Sequence, residues 1–247
     1  YYLGNESFRI VSNCATREKN LSWLSKIAEP FDVGIDLKSD YSILALQGPN
    51  SHKFIKSHIE KDISKFSVHN TDDVMIASTG YTGELGYEII CDQEKGIKFW
   101  NEFISNDVQP IGLAARDTLR LEAGLNLYGT DMDQTNTPYD SNIGWTIDFN
   151  DKDRDFIGKK ALEEKKDSKK ILKGFYTEER GVLRGGAEVI FEGGSGVVTS
   201  GTWSPTFKKN IGFCRVDKNC GEIGSAVLRD KKITLKFCNT NFLESLK

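Results

Sequence analysis

Most of what this chain lacks narrows its chemistry. Its five cysteines (Cys14, Cys91, Cys214, Cys220 and Cys238) are odd in number and scattered, and none forms a CxxC pair. Its three histidines make no HExxH arrangement, so a zinc or iron–sulfur centre has little support and no metal is expected. Reduced thiols, as kept in a cytoplasm or an organelle matrix, are the simpler reading. No apolar run approaches the length of a membrane-spanning helix, and the start lacks a basic-plus-apolar secretory pattern, so no membrane is expected. Nor is positive charge in excess: the formal net charge is −3, which argues against a broad basic field for nucleic acid. An initiator Met is missing too. The chain opens at Tyr1-Tyr2-Leu3, in what reads as the end of a strand, as expected of a fragment or of a gene without its 5′ part.

What is present is a chain of 247 residues, long enough to bury a substantial core in one large or two medium domains. The pattern predicts a strand over Phe8–Val11 after a turn at Asn5, then a helix over Thr16–Ile27 with Pro30 just beyond it. Val33–Leu37 alternates as a strand should. Tyr41–Leu46 reads as another strand, closed by Gly48-Pro49-Asn50, with Ser51 placed to cap the next helix. Val74–Ala77 and Leu85–Cys91 read as strands around a glycine-rich turn at Thr79–Gly83. Helices at about Glu94–Ile104 and Leu113–Ala123 would complete an α+β unit, and the order of elements suggests a ferredoxin-like layer. Lys159–Lys170 is rich in lysine and glutamate and reads as a solvated helix leading into a connector. Beyond it, short strands at Lys173–Tyr176, Ala187–Phe191, Gly196–Ser200, Ile211–Arg215, Ser225–Leu228 and Ile233–Phe237 argue a separate all-β barrel. The expected segments are 1–38 as part of an α+β domain, 39–158 as an α+β ligand-binding domain, and 171–247 as the barrel.

Taken one at a time, the polar and aromatic residues are open to ordinary readings. Arg116 and Arg120 share a helix face, Asp117 can reach Arg120 at i, i+3, and Leu113 and Leu121 face inward; spacing alone makes this a surface salt-bridge ladder. Glu88 ends a strand whose Tyr87 and Ile89 point to the other face, so alone it is an exposed strand carboxylate. Tyr81 has the better local case, because glycines on both sides let backbone approach a ligand, although a packed turn aromatic is an equal alternative. Trp145 reads by type as a core residue. Arg184, beside Gly185-Gly186, sits in a turn from which its guanidinium could meet a carboxylate. Asp131-Met132-Asp133 is too common a spacing to support metal binding. Thr199–Thr206 reads as a polar turn beside Trp203. No Ser/His/Asp or Cys/His set assembles, and the GxG spacings open no dinucleotide-binding helix.

Two longer motifs change the picture. Gly80-Tyr81-Thr82-Gly83-Glu84-Leu85-Gly86-Tyr87-Glu88 and Gly112-Leu113-Ala114-Ala115-Arg116-Asp117-Thr118-Leu119-Arg120-Leu121-Glu122 closely resemble the aminomethyltransferase (T-protein) family of the glycine cleavage system. Matching segments include Asn13–Lys19, Ala45–Pro49, Ala123–Gly129, Asp155–Lys159 and Thr199–Pro205, so the resemblance runs through nearly the whole chain. It implies tetrahydrofolate binding between the α+β domains and the barrel, and aminomethyl transfer from the lipoyl-bearing H-protein. By position, Glu88 resembles the family's carboxylate for the pterin's amino-pyrimidine edge and Arg116 its folate-contacting arginine. Tyr81, Val11 and Trp145 match pocket-lining residues, and Arg184 joins them as a candidate. The family's key aspartate lies in an Asp-Asp-Leu-Ile-Val run just before the segment matching Tyr1. Residues 1–247 alone are therefore expected to be inactive, with roughly the first third of a family member absent. Arg9 stands where some relatives have a pocket tyrosine. Alternatives within the superfamily are another folate-dependent demethylase or one-carbon transferase, and a non-enzymatic folate-binding iron–sulfur assembly factor. Against the last, Phe156-Ile157-Gly158-Lys159-Lys160 carries no cysteine. The implied compartment is a bacterial cytoplasm or a mitochondrial matrix.

Overall fold

The computed structural model describes residues 1–246 and divides into two compact units, residues 1–80 with 84–110, and residues 81–83 with 111–247.

The first unit starts with a small hairpin. Asn5 and Glu6 both take positive φ, 49° and 59°, the backbone that a two-residue hairpin turn requires. They join β1 (Tyr2–Gly4) to β2 (Ser7–Phe8), and the Tyr2 and Phe8 rings lie 5.0 Å apart. The strand expected to run to Val11 therefore stops at Phe8. Helix α1 (Arg17–Ala28) follows as expected, although it buries none of its residues. Val33–Leu37 forms no strand: Val33, Ile35 and Leu37 are all exposed. Alternation makes a strand only where a neighbouring backbone accepts from its N–H groups and donates to its C=O groups, and no described strand pairs here.

The rest of the unit is a four-stranded antiparallel sheet. Its elements are β3 (Tyr41–Gln47), α2 (Ser51–Ile55), β4 (Val68–Asn70), β5 (Val74–Ala77), β6 (Gly86–Asp92) and α3 (Gln93–Ser105), with sheet order β3-β6-β5-β4. Asn50, rather than Ser51, is the N-cap of α2, and the Ser51 hydroxyl donates instead to Leu85 O. Leu46, Ile76, Tyr87, Ile89 and Cys91 meet Ile55 of α2 and Phe99 and Phe103 of α3 in one apolar cluster. Helix α3 is capped by Asp92, which accepts from Lys95 N at 2.8 Å. The opposite face carries Met75, Ala77 and Ile90, all buried, together with Glu88.

The second unit holds α4 (Leu113–Glu122), α5 (Lys159–Glu164), β7 (Lys170–Thr177), β8 (Glu188–Phe191), β9 (Gly194–Ser204), β10 (Lys209–Asp217), β11 (Ile223–Leu228), β12 (Lys231–Cys238) and α6 (Phe242–Ser245). The six strands close into a barrel in the order β10-β7-β12-β11-β8-β9, which leaves no sheet edge to protect. Phe175, Val189, Val198, Cys214, Val216 and Leu235 fill its interior with others of their kind. The expectation of an α+β portion followed by an all-β barrel describes this molecule. Helix α4 is the exception to its details. It belongs with the barrel, not the sheet, because Leu121 packs with Leu172, Ile211, Phe213 and Phe242. Leu113, read as inward, is exposed.

Candidate functional site

In the first unit the candidate carboxylate is Glu88 on β6. Alternation puts Tyr87 and Ile89 into the core beneath α3 and turns Glu88 to the other face, where it is half-buried. Its Oε2 accepts a hydrogen bond from Thr79 Oγ1 at 2.5 Å, and the Tyr1 hydroxyl lies 3.1 Å from the same Thr79 oxygen. Glu88 is thus held, not loosely solvated. Arg9, at the end of the hairpin, covers the Tyr41 ring at 5.5 Å and donates to Met75 Sδ at 3.8 Å, so it packs on this same face. Val11 stands exposed beyond it. An 830 Å³ surface hollow of this unit is lined by Tyr2, Glu6, Phe8, Asp32, Val33 and Gly34, none of them a candidate.

In the second unit Tyr81 and Arg116 come together. The Arg116 guanidinium carbon lies 5.7 Å from the centre of the Tyr81 ring, and the side chain itself is exposed. The Tyr81 hydroxyl donates to Asn126 O at 2.5 Å, and Asn126 Nδ2 donates to Ser141 O at 2.6 Å. Burial, helped by Asp131, raises the Tyr81 pKa above its ordinary value against the pull of Arg120, which keeps the phenol protonated and donating. Trp145, in a short 3-10 turn, is 81% exposed, so its assignment by type to the core is corrected. Arg184 is exposed as well, at the mouth of a turn before β8.

One turn along α4, Arg120 overturns the surface-ladder reading. It is 2% exposed, and it donates to Asp117 Oδ1 at 2.8 Å, Asp131 Oδ2 at 2.5 Å, Ser200 Oγ at 2.9 Å and Leu125 O at 3.2 Å. Burial disfavours the charge, yet Asp131 and Asp117 outweigh it and raise the guanidinium pKa. Asp131 is as deeply buried and also accepts from Thr199 Oγ1 and Ser200 Oγ, each at 2.6 Å, and from Leu127 N at 2.9 Å. The segment read as a polar turn from Thr199 is mostly strand β9, with these hydroxyls turned inward. Ser204 and Thr206 do the same for buried Glu122, the latter at 2.8 Å. The Asp131-Met132-Asp133 and Asp117–Arg120 spacings were visible in the sequence, but their meeting needed the barrel. Among the described residues no group of three His, Cys, Asp or Glu side chains is placed to hold a metal ion, and no helix is long and apolar enough to cross a membrane.

An open antiparallel α+β unit followed by a closed six-stranded barrel, with a strand carboxylate in one and an arginine over a tyrosine in the other, makes this a two-unit α+β and β-barrel protein. Comparison with known proteins draws the boundary later in the chain than the two compact units do. The GCVT N-terminal domain family matches residues 1–151, and the glycine cleavage T-protein C-terminal barrel domain family matches residues 170–243. The chain belongs to the glycine cleavage T-protein family. A solved structure similar to it is the glycine cleavage system aminomethyltransferase T from Bartonella henselae. That protein is 30% identical with a TM-score of 0.87, over 95% of this chain and 69% of that one.

Proposed function

We propose that residues 1–247 supply folate-binding groups for aminomethyl transfer to tetrahydrofolate, its substrate, in glycine cleavage. In this reading the donor is the aminomethyl group carried as a thioaminal on the dihydrolipoyl arm of an H-protein. The carbon–sulfur bond breaks and a carbon–nitrogen bond forms to folate N5. Ammonia leaves as the methylene closes onto N10, and the two N–H protons of the folate go to ammonia and to the thiol. The products are 5,10-methylenetetrahydrofolate and the dithiol. No covalent enzyme intermediate is required. The protein's share is positioning the reactants and stabilising charge as the carbon–sulfur bond breaks.

The observation that carries the reading is Glu88, a half-buried strand carboxylate held by a hydroxyl in a chain of this family. A carboxylate receives two N–H bonds from a 2-amino-4-oxo ring as it does from arginine. The exposed Arg116 guanidinium, steadied by Tyr81, suits the folate's amide or glutamate oxygens. Val11, Trp145 and Arg184 are proposed as further contacts, and their exposure leaves their side chains open to a ligand. Five free thiols fit a reducing compartment such as a bacterial cytoplasm or a mitochondrial matrix. Glu88→Gln replaces one acceptor by a donor, and calorimetry should read a loss of about 1–3 kcal/mol in tetrahydrofolate affinity with the melting temperature kept. An unchanged dissociation constant removes Glu88 from the site.

A further inference from the structure

Gln47, the last residue of β3, reaches across to the segment joining β5 and β6. Its Nε2 donates to Thr79 O at 3.2 Å and to Tyr87 O at 3.3 Å, so one amide ties the two ends of the Thr79–Tyr87 loop together. Gly80 and Gly86 make this possible. A Cβ on Gly80 would come 1.9 Å from Gln47 Oε1, and one on Gly86 would come 2.6 Å from its amide carbon. Neither glycine is needed for its backbone angles; each is needed for the space that the Gln47 side chain fills. The wedge fixes Thr79, and Thr79 in turn holds Glu88 through the 2.5 Å bond to Oε2. A carboxylate oxygen has no hydrogen to give, and threonine has one, which goes to Glu88. The Tyr1 hydroxyl, 3.1 Å away, is therefore the donor to Thr79. The hydrogen bonds run in one direction, from Tyr1 to Thr79 to Glu88.

This matters because the last torsion of a glutamate is broad, and an untethered carboxylate samples many orientations of its plane. A ligand with two parallel N–H donors is received well only in one of them. With one lone pair of Oε2 given to Thr79, the other lone pair and Oε1 can still accept such a pair. We propose that Thr79, held by the Gln47 wedge, is a positioning residue that sets the plane of Glu88 and so selects ligands presenting the paired N–H edge of a 2-amino-4-oxo pyrimidine. The proposal rests on the reading of Glu88 as the pterin acceptor. Thr79 itself touches no ligand in it.

The test compares Thr79→Val, which removes the hydroxyl at nearly constant shape, with Thr79→Ser, which keeps it, and with Glu88→Gln. Affinities are measured by calorimetry for tetrahydrofolate and for its 2-desamino analogue, alongside melting temperatures. Thr79→Val should weaken tetrahydrofolate binding roughly fivefold and leave the analogue's affinity nearly unchanged, while Thr79→Ser should bind both as the unaltered protein does. If Gln47 acts through Thr79, Gln47→Met should narrow the same selectivity, and the double variant should narrow it no further than Thr79→Val alone. Equal losses for both ligands, or equal losses from valine and serine, would mean only a packing role and overturn the proposal. Full selectivity in Thr79→Val, with Glu88→Gln still impaired, overturns it and leaves the pterin reading standing. Unimpaired binding by Glu88→Gln removes both.

Discussion

The open sheet of the first unit and the closed barrel of the second hold their polar groups in different ways. On the sheet, Glu88 is steered by a short local chain of hydroxyls on its own face, and its partners Thr79 and Tyr1 are neutral. In the barrel unit, a full ion pair between Arg120 and Asp131 is buried and saturated by Ser200, Thr199 and two backbone groups. Neutral hydroxyls adjust an orientation at little cost. A buried charge pair tolerates no missing partner, because desolvation of each ion is offset only while the whole set is present. The first arrangement suits a group that must meet a ligand. The second suits a joint that must not move, and it ties α4 and the loop through Asp131 to strand β9, steadying the helix that carries Arg116.

The sharpest way to break this contrast is Arg120→Met. It strands Asp131 as an unpaired buried carboxylate, and urea denaturation should show a loss of about 3–5 kcal/mol. A loss under about 1 kcal/mol would mean that the pair behaves as a surface ladder after all. One turn away on the same helix, Arg116→Lys should leave stability within about 1 kcal/mol, since its guanidinium is exposed. It should still weaken tetrahydrofolate binding by about 1 kcal/mol or more, because a point ammonium lacks the planar fork. Comparing melting temperature with affinity for these two variants separates a structural arginine from one that meets a ligand.

The smallest effect is expected at Asp140. Burial pushes its carboxyl pKa up, but hydrogen bonds from Ser168 and Thr137 outweigh this and hold it below the usual value. A lowered folded pKa means that the unfolded chain takes up the proton first. The contribution of Asp140 to stability should therefore be complete at neutral pH and fade as pH falls below about 4 towards its folded value. Melting temperatures of Asp140→Asn and the unaltered protein should differ at pH 7 and converge in acid. A gap that widens on acidification would reverse the sign.

Much of the secondary structure was legible because local rules decide it. Helical spacing of Leu21, Leu24 and Ile27 marks α1, and alternation through Leu85–Cys91 marks β6 and turns Glu88 away from the core. The short strands after residue 170 announced a barrel before any pairing was known. Val33–Leu37 shows the limit: the same alternation yields no strand where no neighbour supplies hydrogen bonds. Trp145 shows another, since residue type predicts burial only on average.

What the sequence by itself determined is the family, through long ordered motifs. Only the tertiary structure decided which of two arginines one turn apart is buried. A helix face is local, but burial depends on Asp131, Thr199 and Ser200 arriving from 11, 79 and 80 residues further along the chain. The same holds for the two glycines around Gln47. Read along the chain, Gly80 and Gly86 are turn residues. In the fold they are the space that a glutamine from the neighbouring strand occupies, and that close approach is what fixes Thr79 against Glu88.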